Sequence, residues 1–90
     1  MEEGIVIYKK NIQIIFTLNK TNFIMNGINK IYYKDYKIED IKKLMRKDNY
    51  FIIELNNKES YTLLSENNDN WYSCILNNIF NLNKIIFYPF

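Results

Sequence analysis

Of the residue types that carry chemistry, this 90-residue sequence is well supplied with lysine, tyrosine and carboxylates. It has no histidine, which removes His-based acid–base dyads, triads and histidine metal ligands. Its one cysteine, Cys74, can build neither a zinc site nor an intrachain disulfide, and beside Ile75 it reads as a small buried hydrophobe. Glu39-Asp40 is an adjacent carboxylate pair, but neighbours on a strand face opposite sides and do not converge on one substrate. Gly4 and Gly27 are the only glycines, so no glycine-rich phosphate loop exists. These residues predict a protein that is not an enzyme and takes no metal and no cofactor.

What remains is recognition by cations and aromatic rings. Residues 30–47 carry Lys30, Lys34, Lys37, Lys42, Lys43, Arg46 and Lys47 against three carboxylates, a local +4. Residues 48–70 carry five carboxylates against Lys58, a local −4, although the whole chain is only +2. A molecule so polarised can orient at an anionic surface, and the same pattern also suits an ordinary solvated exterior. Tyr32-Tyr33-Lys34-Asp35-Tyr36-Lys37 mixes rings and cations as single-stranded nucleic-acid binders do. The modest net charge and the acidic stretch from Asp48 to Asp69 weigh against that use, which ranks third.

The elements that must position these groups belong to one domain over residues 1–90, with a core at about 4–80 and a hydrophobic tail at 84–90. The chain is 48% hydrophobic and 17% aromatic, enough to build a core and too much for disorder. A lone cysteine fits a reducing compartment, Met1-Glu2-Glu3 is acidic where a signal peptide is basic, and no apolar run approaches the ~20 residues of a membrane span. The expected location is cytoplasmic, soluble or peripheral at a membrane.

Gly4 opens a first strand, Ile5 to Tyr8. The second strand places Ile12, Ile14, Phe16 and Leu18 on one face, a period of two. Asn19 to Asn22 is a turn, Phe23-Ile24-Met25 a third strand, and Asn26-Gly27 the strongest turn dipeptide. Between Ile28 and Arg46 the pattern is compatible with an amphipathic helix, or with two strands at Ile31–Tyr36 and Ile38–Leu44 and a bulge. Tyr50 to Leu55 and Ser60 to Ser65 read as strands around the polar turn Asn56-Asn57-Lys58-Glu59. Ser65 to Asp69 supplies helix-capping types, and Trp71, Cys74, Ile75, Asn78 and Ile79 follow one helical face, widened by Leu76, Phe80 and Leu82. The tail either folds back over apolar surface or projects as an adhesive segment.

In that order the elements resemble a pleckstrin-homology (PH) domain. The resemblance rests on the opening Gly4-to-Lys10 strand with its lysine pair, Phe16-x-Leu18, and Ile38-Glu39-Asp40-Ile41. It continues through Phe51-x-Ile53, Tyr61-x-Leu63-x-Ser65 and Trp71-x-x-x-Ile75-x-x-x-Ile79. It covers roughly residues 4–80 and decides the ambiguous middle in favour of strands. The implied fold is mainly β with one helix: a seven-stranded, bent antiparallel barrel of two orthogonal sheets, closed at one end by a C-terminal helix whose Trp71 plugs the core. An OB-type barrel is the competing fold.

The resemblance also implies a binding end. Phosphoinositide-binding members follow a late first-strand lysine with an Arg or Lys pair two apart in the second strand. Here Lys9 and Lys10 meet the first requirement, but Asn11-Ile12-Gln13-Ile14 holds no cation. With Lys30 and Lys58 on neighbouring loops, the expected site is a shallow anionic-lipid or partner-binding patch rather than a deep pocket. Lys42, Lys43, Arg46 and Lys47 form a secondary basic patch. The resulting expectation is a non-catalytic adaptor for protein interaction, weak recruitment to an anionic membrane, or both. A phosphoinositide reader with a non-standard site is the alternative, and the oligomeric state is left open.

Overall fold

The computed structural model describes residues 1–29 and 31–86. Seven strands and one helix follow in chain order: β1 (Glu2–Ile7), β2 (Ile12–Leu18), β3 (Asn22–Gly27), β4 (Tyr33–Lys37), β5 (Ile41–Lys47), β6 (Tyr50–Leu55), β7 (Ser60–Leu64) and α1 (Asn68–Ile86). A 3₁₀ turn, Ile38–Asp40, links β4 to β5. The middle of the chain is therefore strand, with the expected bulge where the β5–β6 register shifts between Ile41 and Lys43. Glu39 and Asp40 lie in the 3₁₀ turn rather than on a strand.

All strand pairs are antiparallel and form one sheet in the order β4-β3-β2-β1-β7-β6-β5. The two sheets expected at sequence level are thus halves of a single one. They join where β1 meets β7 over Val6↔Leu64 and Ile7↔Leu63. The sheet is bent and does not close, because β4 and β5 do not pair.

The bend follows from ring contacts. In a flat sheet β2 and β6 would lie about 14 Å apart, three strand spacings. Phe16 of β2 and Phe51 of β6 instead meet edge-on with centroids 5.6 Å apart. Tyr36 of β4 and Tyr61 of β7, four spacings apart in order, have centroids 5.8 Å apart. Alternation drives this curl. Ile14, Phe16 and Leu18 of β2, Phe51, Ile53 and Leu55 of β6, and Tyr61 and Leu63 of β7 are all buried on the concave side.

Helix α1 packs against β5, β6 and the 3₁₀ turn. Trp71 and Ile75 are fully buried, whereas Cys74, Asn78, Ile79 and Leu82 are half-buried. Leu76 and Phe80, expected to widen the apolar face, are 45% and 62% exposed. The concave opening accepts only the narrow stripe at Trp71, Ile75 and Ile79, and residues one position further round the helix point away from it. The first part of the predicted tail, Lys84 to Ile86, continues this helix, and residues 87–90 lie outside the described residues.

Asn26-Gly27 is not the turn its composition suggests. β3 runs through Gly27, which pairs with Ile14 and donates its amide to the Tyr32 carbonyl at 2.8 Å, so the chain reverses only after it. No described glycine has positive φ; that conformation falls instead on Lys9, Asn11, Asp48 and Lys58.

Glu3 ties β1 to the helix start. Its carboxylate accepts hydrogen bonds from Ser65 Oγ (2.5 Å), Asn67 Nδ2 (2.6 Å) and Trp71 Nε1 (3.0 Å). Burial pushes its carboxyl up, but the three donors outweigh that and hold it below the ordinary 4.5. A folded-state value below the unfolded one stabilises the fold above pH ~4.5, and the benefit is lost as pH falls through the folded value. Glu3→Gln is expected to cost about 1 kcal/mol at neutral pH, less than a fully buried charge-assisted network because Glu3 is half-buried. Urea midpoints measured from pH 7 down to 3 should show the gap to wild type closing in acid. A gap that stays constant would show that the ionised carboxylate is not the source.

Candidate functional site

Three turns gather at one end of the bent sheet. The β1–β2 turn carries Lys9 and Lys10, the β3–β4 turn follows Gly27, and the β6–β7 turn carries Lys58 and Glu59. Backbone bonds bring them together: Tyr8 N–H donates to the Thr62 carbonyl at 2.8 Å, and Ile28 N–H to the Gln13 carbonyl at 3.0 Å. Lys10 Nζ stands 5.6 Å from the Tyr61 ring centroid, at the head of β7. Lys9, Lys10 and Lys58 are all exposed, and none makes an ion pair among the described residues. Lys30 lies outside the described residues.

Two of these lysines occupy backbone positions that favour glycine or asparagine. Lys9 has φ 69° and Lys58 φ 74°. Lys58 ends the turn closed by its own N–H to the Leu55 carbonyl (3.0 Å), the place where a left-handed glycine usually completes a three-residue hairpin loop. A lysine there costs backbone energy that the turn itself does not require.

Next to this end, on the convex face of β1, β7 and β6, lies an open groove of about 660 Å³. Its walls include Tyr8, Lys9, Lys10, Tyr50, Ile52 and Leu64. These follow the outward parity of their strands, and the Tyr8 and Tyr50 rings stack with centroids 6.4 Å apart. The groove thus offers an apolar floor, aromatic edges and ammonium groups at one end.

On the concave side of the same end sits a cluster that sequence reading missed. The Tyr36 and Tyr61 hydroxyls are 2.8 Å apart, and both donate to Glu59 Oε2, Tyr61 at 2.6 Å. The Tyr32 hydroxyl is buried nearby with no hydrogen-bond partner among the described residues. The bonds from Tyr36 and then Tyr61 hold the Glu59 carboxyl below its ordinary range, helped by the charges of Lys34 and Lys10. Burial, followed by the Glu59 hydrogen bond, raises the Tyr61 and Tyr36 phenols, so both stay protonated donors. The signals were present in sequence as the period-two spacings Tyr32/Lys34/Tyr36 and Glu59/Tyr61. Nothing local showed that β4 would fold over β7.

The secondary basic patch is partly used internally. Arg46 donates to Asp69 Oδ1 at 2.7 Å and lies 5.1 Å from the Tyr72 ring centroid, which makes it a clasp between β5 and the first turns of α1. Lys42 Nζ is 3.9 Å from Glu54 Oε1. Lys43 and Lys47 stay exposed on the β5 edge, without an ion pair among the described residues. Cations on an unpaired edge are also a common guard against strand-to-strand association.

No helix among the described residues is long and apolar enough to cross a membrane. Compared with family models, with curated proteins and with solved structures, the chain matches none of them.

Proposed function

We propose that this chain is a non-catalytic, PH-like recognition module. In this reading it works in the cytoplasm and binds weakly to anionic membrane surfaces through the end carrying Lys9, Lys10 and Lys58. The adjoining Tyr8/Tyr50 groove serves contact with a protein partner. One observation carries the proposal: exposed lysines stand on converging turns, two of them in a left-handed backbone conformation that a lysine does not favour. The absence of histidine and of a second cysteine supports a binding role over a catalytic one.

A site built of separate ammonium groups attracts surface charge without enclosing a headgroup, so its affinity must depend on screening. Each lysine near an anionic leaflet contributes about 1 kcal/mol. The Debye length shrinks from ~30 Å at 0.01 M salt to ~8 Å at 0.15 M. Co-sedimentation with phosphatidylcholine vesicles containing phosphatidylserine is expected to show binding at low salt that falls at least tenfold at physiological salt. Binding to a single phosphoinositide isomer that survives physiological salt would instead identify a headgroup reader. No binding at either salt would leave only the groove and a protein partner.

A further inference from the structure

The convex groove and the basic turns are absorbed by the reading above, whereas the tyrosine cluster at the same end is not. We propose that the Tyr32, Tyr36 and Tyr61 hydroxyls, with the Lys10 and Lys34 ammonium groups, form a site for a phosphate group that the chain's own Glu59 carboxylate occupies at rest. The inference rests on the anionic-recognition reading of this end and adds an internal competitor to it.

The stoichiometry of donors argues for it. A single carboxylate oxygen, Glu59 Oε2, accepts both the Tyr36 and Tyr61 hydroxyls. The Tyr32 hydroxyl is left buried without a partner among the described residues. Lys34 shares a strand face with Tyr36 by period-two spacing, and Lys10 reaches over the Tyr61 ring. Two cations exceed the unit charge of one carboxylate, and the third phenol stays outside its hydrogen bonds. A phosphate monoester brings nearly twice the charge and three strong acceptor oxygens, which matches that set.

Glu59 can leave because it is exposed on a short turn rather than packed in the core. Its main-chain anchors are the Leu55 N–H to Glu59 carbonyl bond (2.9 Å) and its own N–H to Asn57 Oδ1 (2.9 Å), and neither involves the carboxylate. The side chain therefore swings out without unravelling the turn. An arriving phosphate exchanges places with it, and the resting carboxylate sets a threshold that weak anions do not cross.

The test compares wild type with Glu59→Gln, which keeps an acceptor for the tyrosines but removes the charge, and with Glu59→Gln combined with Tyr36→Phe. Each is titrated with inorganic phosphate by NMR. Each is also sedimented with phosphatidylcholine vesicles bearing either a monophosphorylated inositol lipid or phosphatidylserine. Trp71 fluorescence through a urea titration checks that all three fold. Removing a like charge from the site is expected to tighten phosphate binding about tenfold, and Tyr36→Phe to cancel the gain. A gain with inorganic phosphate points to soluble phosphate groups, and a gain confined to the inositol-lipid vesicles points to the membrane headgroup; either supports the site. Equal binding by wild type and Glu59→Gln in every titration overturns it. Wild-type binding to phosphatidylserine vesicles in that case leaves the recruitment reading standing, and its absence removes that reading as well.

Discussion

Trp71→Ala is expected to lower the stability of the fold by about 3–5 kcal/mol, the usual loss for truncating a fully buried large aromatic residue. The indole is 1% exposed and meets Phe16 edge-on at 4.9 Å and Phe51 at 6.3 Å, one ring from each half of the sheet. Its Nε1–H also donates to Glu3, so truncation removes both the plug and one member of the network that fixes β1 to the helix start. For a 90-residue domain, whose whole stability is about 5–13 kcal/mol, that loss is a large fraction. Leu76→Ala, on the exposed face of the same helix, should change the urea midpoint by less than about 0.5 kcal/mol equivalent. A Trp71→Ala midpoint near wild type would mean that α1 is not docked in the concave side.

Charge reversal at the β1–β2 turn should have the largest effect on the proposed binding. Lys9→Glu with Lys10→Glu takes the net charge from +2 to −2. At about 1 kcal/mol per lysine near an anionic leaflet, and as much again for each new repulsion, vesicle affinity should fall roughly 10²–10³-fold. Stability should change by less than about 1 kcal/mol, because both side chains are exposed and the main loss is Lys10 over the Tyr61 ring. Lys43→Glu with Lys47→Glu makes the same change in net charge on the β5 edge. If that pair weakens binding equally, the domain responds to overall charge, and no end of it is special. If the Lys9 and Lys10 reversal leaves binding intact, the turn end is the wrong face.

How much was readable from the chain differed by element. The alternation of β2 was legible because side chains alternate across a strand wherever one face is buried, and Ile14, Phe16 and Leu18 are all buried as their spacing required. The bulge in β5 was not legible from alternation alone, because Ile38, Ile41, Leu44 and Met45 suit a helix equally well; the register shift between Ile41 and Lys43 follows from pairing with β6. Turn composition misled at Asn26-Gly27, where cross-strand pairing with Ile14 and the Tyr32 carbonyl keeps the dipeptide extended. Helical periodicity located Trp71 and Ile75 correctly but overstated the width of the buried stripe, since hydrophobicity does not report how wide the receiving surface is.

For the candidate site, the lysines at positions 9, 10 and 58 were visible as residue types next to turn signals. The single-sheet strand order brings their turns to one end of the molecule. The role of Arg46 was not visible, because Asp69 lies 23 residues away and becomes its partner only when α1 crosses β5. The same holds for Glu3, bonded to residues 62 to 68 positions further along the chain.

Residue patterns alone were enough for the strands on either side of residues 28–46, the C-terminal helix, the aromatic plug at Trp71 and the lack of histidine chemistry. In the middle they left helix or strands open, and a family resemblance chose strands. Such patterns are local properties: periodicity, turn composition and which side chains exist. It took the folded chain to make the halves of the sheet continuous through β1 and β7, and to close Tyr36 over Tyr61 onto Glu59. Folding also set which side of α1 stays in water. Those are non-local outcomes, fixed by how far one sheet must bend to bury its own concave face, and no window of neighbouring residues encodes that curvature.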